Sequence, residues 1–347
     1  MTTTSSARPA RAWALAFAGL SALLAVSPAL AQFTLGEQRA GTASGTFLKI
    51  GIGARATGLG EAFVAVANDP TAIYWNPAGL ASIQRQEVAL SHIDWPADIR
   101  FEHVVWVMPV RRLGGSLGFQ FGVLSTSLDE TSELQPFGTG RTFVYSDMVA
   151  GIAYARRWTD KLLVGVGTKF LREDLGKDMG NPTTSAVLFD IGSIYYLGLG
   201  SVRVATSLCS FSPELKPKGT FLSPGADGLA GTADDEQRAY DGFDSPTVFR
   251  YGVAFEPIES ARQRLTTSLE ANQPADNTQA IKAGIEWVWV GRLSLRGGYN
   301  FNADALKLSA GAGVNAELGG WKGTLDYAYT DGGFLGPINR LTLGVRF

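Results

Sequence analysis

The chain of 347 residues has one cysteine, Cys209, so it cannot form an internal disulfide. An exported chain without disulfides must hold itself together in another way, and closing every backbone hydrogen bond around a barrel is one. Long apolar runs are also missing. The mean hydropathy is only +0.06, and no stretch of about 20 apolar residues is present to cross a membrane as a helix. There is no basic excess: the formal net charge is −2, which leaves no electrostatic footprint for nucleic acid. With two histidines, His92 and His103, candidates for an imidazole general base are few.

Glycine, by contrast, is abundant at 42 residues. Residues 1–31 have the parts of a secretory signal peptide: a basic start with Arg8 and Arg11, an apolar run from Trp13 to Val26, and the cleavage pattern Ala29-Leu30-Ala31. Export of the remainder is the expectation.

From residue 87 onward the sequence alternates with a period of two. Leu117, Phe119, Phe121 and Val123 share one face, against Gly118, Gln120 and Gly122. Phe249, Tyr251, Val253 and Phe255 oppose Arg250, Gly252, Ala254 and Glu256. Leu293, Leu295, Tyr299 and Phe301 repeat the pattern, as do Trp321, Leu325, Tyr327 and Tyr329. One face apolar and aromatic, the other small or polar, suits strands standing between lipid and a lumen. A soluble sandwich could alternate in the same way. Connection length separates the two: division at turn signals gives about fourteen segments, with short turns after even-numbered ones and longer loops after odd-numbered ones. A sandwich has no reason to sort its loops by parity. The predicted fold class is therefore an all-β transmembrane antiparallel barrel over residues 87–347, with both termini in the periplasm.

The chain ends Leu341-Thr342-Leu343-Gly344-Val345-Arg346-Phe347. Leu343, Val345 and the final Phe347 resemble the signal read by the barrel assembly machinery of the bacterial outer membrane. Trp95, Trp106, Trp158, Trp287, Trp289 and Trp321 are read as interfacial anchors in outer-membrane lipid. Arg250, Lys282, Glu286, Arg296, Lys307, Glu317 and Lys322 fall on polar faces, where they are expected to balance one another in the lumen.

Residues 32–86 do not alternate. They are punctuated by Gly, Asn-Asp-Pro and Asn-Pro, precede the wall, and are long enough to fill a lumen as a plug. Short helices are expected over Glu61 to Ala67 and Ala72 to Trp75. Here Gly53-Ala54-Arg55-Ala56-Thr57-Gly58-Leu59-Gly60-Glu61-Ala62, Val66-Ala67-Asn68-Asp69-Pro70 and Trp75-Asn76-Pro77-Ala78-Gly79-Leu80 resemble the N-terminal signature of the PorV/PorQ family. More distantly they resemble the hatch of FadL-type transporters. The resemblance implies a fourteen-strand outer-membrane barrel with Arg55, Gly58, Gly60, Glu61, Asn68, Asp69, Asn76, Pro77 and Gly79 as plug residues. Arg55 is expected to pair with a carboxylate in the plug or on the lumen face, such as Glu286 or Asp326. In PorV/PorQ proteins the resemblance implies a non-enzymatic role in type IX-like secretion, with exported proteins or secretion-system subunits as partners. In FadL-type proteins it implies passage of long-chain fatty acids or other hydrophobic small molecules. The motif belongs to the plug that both groups share and does not choose between them. A transport role predicts a greasy pocket between plug and wall and a kinked strand near Gly311 to Gly313.

Other patterns carry less. Gly51-Ile52-Gly53-Ala54-Arg55-Ala56 mimics a dinucleotide fingerprint without the βαβ unit that gives it meaning. Gly114-Gly115-Ser116-Leu117-Gly118 matches a nucleophile elbow, yet Ser116 opens a strand instead of a strand-to-helix turn. The acidic Gly-rich stretch within Ser212 to Pro246 has hard oxygen ligands for calcium but no EF-hand spacing. No cofactor, metal or catalytic residue is assigned.

Overall fold

The computed structural model describes residues 39–131, 135–174, 182–225, 233–303 and 305–347. The leader assigned to residues 1–31, the start of the plug assignment and part of the acidic loop lie outside the described residues. Sixteen strands occur among those described: β1 (Glu87–Trp95), β2 (Ile99–Val110), β3 (Gly115–Asp129), β4 (Thr142–Arg157), β5 (Leu162–Asp174), β6 (Thr183–Tyr196), β7 (Arg203–Phe211), β8 (Thr220–Ser223), β9 (Glu236–Ala239), β10 (Val248–Glu259), β11 (Gln263–Pro274), β12 (Ala280–Trp289), β13 (Leu293–Asn300), β14 (Leu308–Leu318), β15 (Trp321–Asp331) and β16 (Pro337–Arg346).

Fourteen of them close into an antiparallel barrel in which β7 pairs directly with β10. β1 seals the ring against β16, from Glu87 opposite Arg346 to Asp94 opposite Asn339. No sheet edge is left open, as a spanning sheet requires. β8 and β9 pair only with each other, as a hairpin inside the connection between β7 and β10.

The alternation sends Leu90, Phe121, Val166, Tyr251, Ile285, Leu295, Leu325 and Leu343 outward, each about half exposed. A belt of that composition all around the ring is what a hydrocarbon environment selects. One rim carries tight turns at residues 111–114, 158–161, 260–262, 290–292 and 319–320; the other carries the long connections at 130–141 and 212–247.

The inward face differs from the expected polar lining. From β2 to β7 it is mixed, with apolar Phe101, Val105, Val107, Val149, Leu163, Leu171, Leu188 and Ile194 buried beside polar His103, Gln120, Asp147, Glu173 and the Lys169–Asp190 pair. From β10 to β16 it carries Arg250, Glu270, Lys282, Glu286, Arg296, Asp326 and Arg340, also buried. The reason is what each half faces. Residues 39–86 contact both halves from within, the 3-10 helix Pro77–Ser82 touching β3 to β6 and the short helix α1 (Ala54–Gly58) touching β13 to β16.

This inner segment runs the full height of the ring. Its first described residues sit at the long-loop rim, where Ser44 donates to the Asp244 carbonyl at 3.1 Å and Asp244 donates to that of Thr42 at 3.0 Å. Its end passes into β1 at the turn rim.

Four further expectations change. Helix forms over Ala54–Gly58 and not over Glu61 to Ala67, because Gly60 and Glu61 adopt left-handed φ of 63° and 64°, which ends α-helix. α2 (Ala72–Trp75) forms where expected. Trp95 faces inward, with the Arg340 guanidinium 5.7 Å above its ring, because its parity on β1 matches buried Ile93. Lys307 lies in the loop before β14, and Glu317 and Lys322 pair with each other at the turn rim, 2.5 Å apart.

Candidate functional site

The site is the seat of the inner segment. Close approach comes first, and glycine permits it. Gly58 of α1 meets Gly311 of β14, where an added Cβ would stand 3.1 Å from the Gly311 Cα. A Cβ on Gly298 would strike the backbone of Leu59 and Gly60, and one on Gly165 would strike that of Pro77 and Ala78. Gly79 is needed within the segment, since a Cβ there would collide with the Ala67 carbonyl. Gly311 therefore makes room for α1, and Gly313 for the side chains of Asp326 and Arg296. β14 holds regular register with both neighbours, and the register shifts of the wall lie in β6 with β7 and in β10 with β11.

Polar groups then fix orientation. Asn76 is buried, accepting from Ala78 N–H at 3.1 Å and donating to the carbonyls of Val64 (3.0 Å) and Ser193 (3.1 Å). Pro77 follows at the first helical position, where its missing N–H costs nothing. Asp69 accepts from the Thr71 N–H at 2.9 Å, which turns the chain into α2. Main-chain groups of the segment find wall partners: Ala54 N–H on the Thr342 hydroxyl (2.9 Å), Phe63 and Val64 N–H on Glu270 (both 2.8 Å), and the Trp75 carbonyl on Ser207 (2.9 Å). Cys209 lies beside this last contact, its Sγ 3.6 Å from the Tyr74 carbonyl.

Charge supplies the third component. Arg55 binds Glu286 through two bonds of 2.9 and 2.8 Å and reaches Asn68 (2.6 Å) and Asp69 (2.9 Å). Glu286 is shared with Arg296 at 2.8 Å, and Arg296 continues to Asp326 at 2.6 Å. Arg55 thus pairs both with a carboxylate of its own segment, Asp69, and with one on the wall, Glu286, while Asp326 joins through Arg296. Glu61 pairs with Lys282 at 2.8 Å, and Lys49 with Asp276 at 2.5 Å. Among the described residues, every ion pair joining the inner segment to the wall lands on β12 or the loop before it. Arg250, which no motif indicated, lies over the rings of Tyr74 and Trp75 at 5.5 and 5.3 Å. It was legible only as a charge on a polar face.

Burial would lower the Arg55 pKa, but Glu286 and Asp69 hold it above the ordinary guanidinium value. Burial would raise that of Glu61, but Lys282, Arg340 and Arg250 hold it below the carboxylate range. A carboxylate with a lowered folded pKa stabilises at pH above its unfolded pKa, and that contribution disappears as pH falls through the folded value. The contribution of the Glu61–Lys282 pair should therefore be constant from about pH 8 to about pH 5 and be lost only in stronger acid. The difference in protease protection between wild type and Glu61→Gln across a pH series measures this; a difference that vanishes near neutrality would refute the assignment.

Below the seat a cavity of about 920 Å³ opens at the turn rim, lined by Arg55, Asp69, Glu286, Arg296 and Asp326 from the clamp and by Arg264, Arg292 and Arg346 nearer the mouth. It is charged, unlike the greasy pocket a transport role predicts; the apolar surfaces between segment and wall are packed against each other instead. Ser116 donates to the Ile83 carbonyl at 3.1 Å, and His103 contacts Gln120.

Residues 21–159 match the uncharacterised protein family UPF0164. No curated protein matches the sequence. Among solved structures the chain is similar to the toluene transporter TbuX of Ralstonia pickettii, at 12% identity and TM-score 0.54, covering 85% of this chain and 97% of that one. It is also similar to the monoaromatic hydrocarbon channel CymD, at 12% identity and TM-score 0.51, covering 86% and 97%. A FadL homologue of Pseudomonas aeruginosa gives 11% identity and TM-score 0.50, covering 85% and 97%. At these identities the likeness is one of fold: a FadL-like barrel.

Proposed function

We propose that this protein is an outer-membrane passage protein for small apolar compounds, with its C-terminus on the periplasmic side and residues 39–86 acting as a plug that must shift to open it. The observation that carries the reading is the division of the lumen. Among the described residues the plug is ion-paired to β12 and its loop alone, and around Ile73 and Leu80 it meets β3 to β6 through aliphatic surfaces, with hydrogen bonds to Ser116, Glu173 and Ser193 beside them. Separation along that interface breaks hydrogen bonds but no ion pair, and exposes the aliphatic surfaces to the compound passing through. The barrels of similar fold described as toluene transporter and hydrocarbon channel support the same class of cargo. The motif residues Arg55, Gly58, Gly60, Glu61, Asn68, Asp69, Asn76, Pro77 and Gly79 then serve to seat the plug. The test is uptake of labelled toluene by Gram-negative cells lacking a hydrocarbon channel, with and without this protein in the outer membrane. Uptake several-fold above the parent supports the proposal, and uptake equal to the parent with correctly inserted protein rejects it.

A second reading, capture of exported proteins as in the PorV/PorQ family, is favoured by the long-loop rim. Phe137 and Phe334 are exposed there, as is Leu222 on the β8–β9 hairpin. Mass spectrometry of everything retained by the protein extracted from native membranes in mild detergent separates the two: stoichiometric exported protein supports capture, a lone barrel with an apolar molecule supports passage.

A further inference from the structure

The two rims differ in charge as well as in length. On the short rim, the turn between β2 and β3 and that between β4 and β5 carry Arg111, Arg112, Arg156, Arg157 and Lys161, all exposed, and the neighbouring turn between β6 and β7 presents Leu197 and Leu199. None of the five has a carboxylate partner among the described residues; Arg157 donates to the backbone carbonyl of Asp160 at 3.2 Å. The turns are tied together, since the Tyr154 hydroxyl donates to the Leu113 carbonyl at 2.6 Å and the Tyr196 N–H to the Lys161 carbonyl at 2.8 Å. Exposed apolar side chains lie among these cations: Leu113, Trp158, Leu197 and Leu199, with the Arg156 guanidinium 5.0 Å from the Trp158 ring. The opposite rim is acidic, with Asp94, Asp98, Asp129, Glu130, Glu214 and Asp241.

We infer that the turns at residues 111–114, 156–161 and 197–200 form a docking site for the headgroups of anionic phospholipid in the adjacent leaflet. The inference rests on the reading of this barrel as membrane-spanning. Unpaired surface cations attract a negatively charged leaflet, each contributing over about one Debye length. The argument for lipid over an acidic protein is the juxtaposition of Trp158, Leu113 and Leu199 with the cations. A phospholipid offers a phosphate at the height of the guanidinium groups and acyl chain at the height of the apolar side chains, and an indole at that boundary suits both. An acidic protein offers no acyl layer at the depth of these apolar side chains. The site fixes which rim faces the phospholipid leaflet and lies across the ring from β12.

The full chain is reconstituted into vesicles of equimolar phosphatidylcholine and phosphatidylglycerol, and the lipid retained in polymer-bounded discs cut from them is quantified. The wild type is expected to retain the two lipids at a phosphatidylglycerol-to-phosphatidylcholine ratio about threefold that of the bulk, with enrichment lost in high salt and in the Arg111→Gln/Arg112→Gln/Arg156→Gln/Arg157→Gln variant. Removing the same charge from the other rim, by Arg100→Gln/Lys216→Gln/Lys218→Gln/Lys307→Gln, is expected to leave it intact. Folded wild type without enrichment, or equal loss in both variants, overturns the inference while the barrel stands. A short rim that binds polyglutamate and shows no lipid preference is a protein-docking surface, which also overturns it. Failure to insert into any vesicle instead rejects the membrane-spanning reading.

Discussion

Replacing Glu286 with Ala is expected to unseat the inner segment while leaving the wall closed. Glu286 is 1% exposed and is shared by two guanidinium groups, those of Arg55 and Arg296. Removing one partner of a buried ion pair costs about 3–5 kcal/mol, because the remaining charge is left desolvated and unpaired. Asp69 and Asp326 remain to compensate Arg55 and Arg296 in part, which places the cost toward the lower end. The wall does not depend on this carboxylate, since its strands pair through the backbone. Glu286→Ala protein should therefore keep the heat-modifiable gel migration of a folded barrel, gain protease cleavage within residues 39–86, and pass small solutes faster. Glu286→Gln separates charge from volume and should show most of the same effect. The exposed Lys322–Glu317 pair gives the control, with no measurable change expected on removing Glu317. Unaltered protease protection in both Glu286 variants would show that β12 does not hold the segment.

Adjacent glycines on β13 give the second large effect. Gly298 points inward, where a Cβ would meet backbone atoms of both Leu59 and Gly60; Gly297 points outward, where the nearest atom, the Ile285 Cγ1, is 3.9 Å from an added Cβ. Backbone against backbone cannot be relieved by a rotamer change, so Gly298→Ala must displace the segment or bend the strand. Overpacking of this kind costs about 1–3 kcal/mol and sometimes more. Gly297→Ala is expected to be neutral, or slightly stabilising through the entropy of the unfolded chain. A passage assay on the two variants should show a leak for Gly298→Ala alone. Equal behaviour would mean that the segment is not seated against β13.

The wall was legible because antiparallel strands between two media write a period of two that few other structures sustain. Phe249, Tyr251 and Val253 against Arg250, Gly252 and Ala254 place their faces without reference to anything distant. The apolar stretches of the inward face were harder to read, because a strand apolar on both faces loses its alternation. In Val104-Val105-Trp106-Val107 the residues facing out and in are equally apolar, and only that lapse in polarity marks a lumen filled by something greasy. The helix over Glu61 to Ala67 failed for a local reason: a left-handed residue at Glu61 is invisible in composition when Gly60 already explains the turn. For Arg55, any lumen-facing carboxylate satisfied the chemistry, and the choice of Glu286 over Asp326 depended on how far along β12 and β15 the segment descends. Arg250 had no sequence signal beyond its parity, since its aromatic neighbours Tyr74 and Trp75 lie far away in the chain.

Cys209 gives the barrel a built-in gauge of opening. It is the chain's sole thiol, 3% exposed, on β7 behind the carbonyls of Tyr74 and Trp75. A water-soluble alkylating reagent reaches the sulfur only during moments when α2 has moved off the wall. When closing outpaces alkylation, the labelling rate equals the intrinsic thiol rate multiplied by the fraction of time spent open, so unmodified protein reports its own opening equilibrium. The residue that cannot make a disulfide thereby turns a displacement inside a closed ring into a measurable population.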